Sequence, residues 1–123
     1  KMSPRTKVFD KTIFGLADQT DILDAVQKTG RKTTVLVGLE TDVCVAHSAI
    51  GLMQKGVQVA VLADVTDSPG DAHAFGLERI RGAAALVMSL KEIYYEWIRT
   101  VSMSNMMADK HLKRIGQPDG VTL

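Results

Sequence analysis

Cys44 is the only cysteine in this chain of 123 residues, and around it residue types and spacing suggest chemistry. The segment Gly38-Leu39-Glu40-Thr41-Asp42-Val43-Cys44-Val45 lies between an apolar, β-branched run and a helical pattern. That places Cys44 in the first turn of a helix, where unpaired amide N–H groups and partial positive charge gather. Such an end suits a thiolate, the form of cysteine that attacks carbonyl carbon. The same amides can hold the oxygen of a tetrahedral intermediate. A lone cysteine is equally at home as a small apolar core residue, so position by itself leaves both roles open. Thr41 and Asp42 are natural N-caps for the helix that follows. Glu40 is less easily placed, because a carboxylate directly after a buried strand must reach solvent or a site. His47 falls one turn into the helix, and His47, His73 and His111 share no metal-like spacing. Gly70 and Gly76 form no phosphate-loop pattern. Asp64, Thr66, Asp67 and Ser68 end a later strand, where an Asx-type turn or a place in the pocket lining are the two readings.

The elements that would position this segment alternate in type. Residues 33–38 and 58–64 read as strands buried on both faces, and 85–88 as a shorter third. Residues 44–55 place Val45, Ala49, Leu52 and Met53 on one side of a helix, with Gly56 at its C′ position. Further helical patterns run over 71–83, over 21–29 behind Thr20 as cap, and from a capping box of Ser89 and Glu92 through Trp97 and Ile98. Strands alternating with helices predict an α/β fold, a three-layer doubly wound parallel sheet. Ligands of such sheets bind beyond the carboxyl ends of the strands, where 38–45 falls.

One physical difficulty stands out. The run at 33–38 has the composition of a central strand, yet it comes first in the chain. With nothing paired on its free side, an apolar edge is exposed. Either further strands cover it, from upstream of Lys1 or from a partner chain, or residues 4–14 add an irregular strand and the sheet stays small. The expectation is of one domain over 1–123, the C-terminal portion of a larger domain, with a tail over 101–123. That tail carries Met103, Met106 and Met107 and a basic run over 110–114. It reads as a short docking turn or as a helix folded back on its domain, ended by the Gly-Pro-Gly stretch at 116–120.

Composition narrows the partners. The net charge is +1 and 5% of residues are aromatic, so neither a basic field nor a stacking surface for nucleic acid is present. No apolar run is long enough to span a bilayer. A single cysteine permits no internal disulfide, which suits a reducing, cytoplasmic setting. The partners expected are a small-molecule substrate and further copies of the chain.

Residues 38–45, with Ala49 and Leu52 beyond them, resemble the nucleophile segment of the isochorismatase-like cysteine hydrolases, a superfamily that includes nicotinamidases and N-carbamoylsarcosine amidase. Residues 58–64, the helix around Leu77-Glu78-Arg79-Ile80, and the passage from Ser89 to Trp97 are similar to the family's later elements. The resemblance implies a Cys–Lys–Asp triad on a doubly wound fold. It implies hydrolysis of a C–N bond in a small amide through an acyl-enzyme on Cys44. No cofactor is expected and no residue of this sequence is singled out as a metal ligand; in nicotinamidase-type members the metal ligands follow the family's first strand. The family's lysine precedes a phenylalanine by three residues, and Lys11-Thr12-Ile13-Phe14 matches, making Lys11 the catalytic lysine. Main-chain N–H groups of Glu40 and Cys44 would form the oxyanion hole, the Leu39–Glu40 peptide bond would be cis, and Thr41 would contact substrate. A cysteine at this position implies amide chemistry rather than the vinyl-ether hydrolysis of isochorismatase itself. The family's aspartate lies on a first strand that nothing in this sequence matches, and Asp10 stands in the wrong context for it. The competing readings are a non-catalytic oligomeric scaffold or binding protein on the same fold, and a redox-sensing thiol.

Overall fold

A computed structural model describes residues 5–115, with side chains through residue 110. The chain forms two compact units, Lys1–Ser89 and Leu90–Leu123. In the first, strands β1 (Thr33–Leu39), β2 (Gln58–Asp67) and β3 (Leu86–Met88) pair in parallel in that order. Helix α1 (Thr20–Gln27) precedes β1, α2 (Ala46–Gln54) links β1 to β2, and α3 (Ala72–Gly82) links β2 to β3. This is the expected α/β alternation with a parallel sheet.

β2 is the central strand and is buried on both faces. Val59 and Val61 point into the cluster formed with Ala46, Ala49 and Leu52 of α2 and Leu77 and Ile80 of α3. Ala60 and Leu62, on the opposite face by strand alternation, are buried too. β1 differs. Its Leu36 packs against the core, but Val37 is 57% and Leu39 70% exposed, and among the described residues its second edge is unpaired. Residues 5–14 have no regular structure and add no strand. They are committed elsewhere, with the Asp10 carbonyl bound to the Gln19 amide and Lys11 turned to Cys44.

The pairing of β1 with β2 is interrupted near the carboxyl end. Leu36 pairs with Val61, but Gly38 pairs with Thr66, so Val37 lies opposite the stretch from Leu62 to Val65. The Thr66 hydroxyl closes this bulge by donating to the Leu62 carbonyl at 3.2 Å. The bulge returns Thr66 and Asp67 to register beside Gly38 and Leu39, which brings Ser68 within reach of the turn holding Cys44.

Two helix ends are closed in the same way by different residues. α2 ends at Gly56, φ +79°, with Gly56 N–H on Met53 carbonyl and Val57 N–H on Leu52 carbonyl, the paired bonds of a Schellman motif. α3 ends with the same pair, Ala84 N–H to Arg81 and Ala85 N–H to Ile80, but the left-handed residue is Ala84, φ +64°. At the start of α1 the structure corrects the expectation: Thr20 lies inside the helix, and Gln19 is the N-cap without a side-chain cap bond.

The second unit holds α4 (Leu90–Ile98) and α5 (Val101–Ile115). Thr100 caps α5, its hydroxyl accepting from Met103 N–H at 3.1 Å. The methionine stretch is therefore part of a helix rather than a short turn, with Met103 and Met106 exposed. The stretch at 116–120 and the side chain of His111 lie outside the described residues. Among the described residues, no helix is long and apolar enough to cross a membrane.

Candidate active site around Cys44

Between β1 and α2, residues Thr41–Val45 form one π-helical turn. The Glu40 carbonyl accepts from Val45 N–H at 3.0 Å, and the Thr41 carbonyl from Ala46 N–H. An α-helical start would direct Cys44 N–H to the Glu40 carbonyl. The wider spacing carries the first ladder bond past Cys44, leaving its amide ahead of the ladder. The Leu39–Glu40 peptide bond, at the entrance to this turn, is cis, as the resemblance implies.

Neither Thr41 nor Asp42 caps the turn, which corrects the capping expectation. Glu40 occupies the N-cap position without a side-chain cap bond, and Thr41 and Asp42 already lie within the turn. Their side chains reach other elements instead. The Thr41 hydroxyl, 0% exposed, shares a hydrogen bond of 2.8 Å with His73 Nδ1 at the start of α3. The hydroxyl expected to meet substrate is thereby engaged with a protein partner. The Ser68 hydroxyl donates to the Asp42 carboxylate at 2.6 Å and lies 3.5 Å from Asp42 N–H, from which it accepts. α3 meets the turn at Gly76, where a Cβ would stand 2.7 Å from Asp42 N and 2.8 Å from the Thr41 carbonyl carbon. Only glycine permits that approach.

Lys11 reaches Cys44 from the other side. Its Nζ lies 3.7 Å from Cys44 Sγ, 2.7 Å from the Ile13 carbonyl and 2.8 Å from the Phe14 carbonyl. An ammonium has three hydrogens, and here three acceptors surround it. Carbonyls only accept, so two hydrogens are fixed on the loop and the third direction is the sulfur. The loop itself is held on α2. Leu16 N–H donates to the buried Ser48 hydroxyl at 3.1 Å, and the Phe14 ring meets the His47 ring at 6.3 Å. Gly15 sits so close to the His47 carbonyl and Asp18 that a Cβ there would be 3.2 Å and 2.8 Å away. His47 donates through Nδ1 to the Val43 carbonyl at 2.7 Å.

A cavity of about 190 Å³ opens beside Lys11 and Cys44, walled by Leu16, Leu36, Leu39 and Val45. Its apolar walls and three polar side chains, Lys11, Cys44 and Ser48, suit a small acyl group. A larger hollow of about 440 Å³, beside Lys32 and Lys55, lies at the opposite ends of the strands, away from Cys44.

Of the residues the sequence singles out, Cys44 and Lys11 are brought together, Glu40 and Thr41 open the turn that holds Cys44, and the Asp10 carbonyl is bound by Gln19. No carboxylate pairs with Lys11 among the described residues. His73, Ser68 and Gly76 are the residues whose structural contacts the sequence did not disclose. They sit 24 to 32 positions from Cys44 in the chain.

The isochorismatase domain profile matches residues 1–92. The chain belongs to the isochorismatase family. It is 33% identical over 96 residues to the secreted isochorismatase effector Isc1 of Phytophthora sojae, an alignment covering 76% of this chain and 46% of that protein. The chain spans about half the length of the curated relatives it matches. Among solved structures, it resembles the MAR1 ribonuclease of Caenorhabditis elegans with a TM-score of 0.77 at 21% identity, covering 99% of this chain and 63% of that one. It resembles the YcaC gene product of Escherichia coli, an octameric hydrolase of unknown specificity, with a TM-score of 0.69 at 22% identity, covering 83% and 58%. At these identities the likeness is one of fold. The pyrazinamidase/nicotinamidase of Streptococcus mutans is 28% identical with a TM-score of 0.61, covering 65% of this chain and 45% of that one.

Proposed function

We propose that this chain carries the nucleophile half of a cysteine hydrolase that cleaves the C–N bond of a small amide. The observation that carries the reading is the 3.7 Å approach of Lys11 Nζ to Cys44 Sγ across 33 positions of sequence. Family membership and the nicotinamidase neighbour support the amide class. The Cys44 sulfur attacks the carbonyl carbon, forming an S–C bond, and the carbonyl oxygen becomes an oxyanion. The main-chain amides of Cys44 and Glu40 receive that charge, and Lys11 balances the charge on the sulfur. On collapse the C–N bond breaks, and the proton given up by the thiol leaves on the amine. Water then splits the thioester to the acid and restores the thiol. In the family this proton is carried by an aspartate, for which the chain offers no matching residue.

The small apolar cavity favours an uncharged acyl group. The open edge of β1, with Val37 and Leu39 exposed, favours a homo-oligomer.

A panel of small primary carboxamides, assayed for ammonia release, tests the reading. With no aspartate matched in this chain to carry the proton, slow release is expected, which Cys44→Ala abolishes and Lys11→Met lowers further. Release that survives Cys44→Ala overturns it.

A further inference from the structure

We propose that His73 is a positioning residue of this site: through its hydrogen bond to Thr41 it holds the turn in the wide register that leaves the Cys44 amide available to an oxyanion. The proposal rests on the reading of Cys44 as a nucleophile.

A π-helical turn is rare because the tighter α spacing gives better backbone geometry, so something outside the turn must hold it open. Sliding into α register would redirect Cys44 N–H to the Glu40 carbonyl that now serves Val45. It would also move Thr41, the first residue of the turn. Two side-chain links oppose that motion, Thr41 to His73 and Asp42 to Ser68. They are not equivalent. Asp42 is part-exposed, and water can take over from Ser68. Thr41 is 0% exposed, and no water can replace the ring nitrogen of His73. Thr41 also follows Glu40 directly, so a shift of its backbone moves the second proposed oxyanion donor. Gly76, three positions after His73 on α3, brings the helix close enough for the bond to form.

Two probes of the same sulfur separate positioning from general structure. Acetylation of Cys44 by p-nitrophenyl acetate passes through an oxyanion, while alkylation by iodoacetamide displaces iodide at a saturated carbon and forms none. On the full chain, His73→Leu is expected to slow acetylation at least about tenfold and to leave alkylation within about twofold. His73→Asn, which keeps a side-chain partner for Thr41, is expected to recover most of the acetylation rate. Thr41→Val, of nearly the same volume, is expected to match His73→Leu, and the double variant to lose no more than either alone. Should His73→Leu fail to fold, Thr41→Val carries the same comparison. Equal falls in both rates would make His73 merely structural, and unchanged rates would remove it from the site. Both results overturn the proposal while leaving Cys44 a nucleophile. A wild-type chain that is alkylated at Cys44 but never acetylated overturns the nucleophile reading itself.

Discussion

The ammonium of Lys11 is surrounded by two carbonyl oxygens and one sulfur, which fixes its direction more than its exposure would suggest. In the proposed mechanism a lysine held in this way serves as a fixed positive charge beside the thiol. Arginine cannot reproduce it, because a planar guanidinium does not fit a three-point cradle. Lys11→Arg is therefore expected to lose acetylation nearly as fully as Lys11→Met, about 100-fold, in single-turnover measurements. Cys44 was legible in the sequence, since a strand followed by a helix places it at a helix start. That Lys11 lies beside Cys44 was legible only through its Lys-x-x-Phe resemblance, because 33 positions separate them and nothing in local pattern ties them. His73 carried no signal. A histidine one residue into a helix looks like any surface residue until α3 is seen against the turn.

At the scale of elements, two glycine questions have opposite answers. Gly76, inside α3, costs helix stability by propensity, yet a Cβ there would collide with the Asp42 and Thr41 backbone. Gly76→Ala is expected to destabilise the fold by about 1–3 kcal/mol in urea unfolding, because the overlap falls on backbone that cannot rotate away. Ala84, exposed at the left-handed end of α3, holds a conformation that glycine adopts freely. Ala84→Gly is expected to stabilise the fold by about 1 kcal/mol in the same measurement. Gly56 could be placed at its C′ position from the sequence, since it directly follows a helical pattern. The bulge in β2 could not. Residues 58–64 read as an uninterrupted strand, and only pairing with β1 shows that the strand continues to Asp67 after losing register. That irregularity places Ser68 against Asp42.

For the whole molecule, the open side of β1 is the outstanding physical feature. A parallel strand bordered on one side only among the described residues, with Val37 and Leu39 exposed, invites pairing. The sequence anticipated this edge from the composition of residues 33–38 and their place as the first strand. What covers the edge was not legible, because the sequence left further strands and a partner chain equally open. The chain is expected to self-associate in sedimentation velocity, and Val37→Lys to weaken that association at least about tenfold, or about 1.4 kcal/mol. Sedimentation as a monomer at all concentrations would contradict the homo-oligomer reading. The central claim, that Cys44 is a nucleophile toward acyl carbon, has a direct test in the mass of the chain after exposure to p-nitrophenyl acetate. An ester with a good leaving group needs no proton donor, so the test depends on the sulfur, Lys11 and the amides alone. One acetyl group per chain is expected, mapped to the peptide bearing Cys44, lost on standing in water and absent from Cys44→Ala. Acetylation confined to lysines, with Cys44 unmodified, would contradict it.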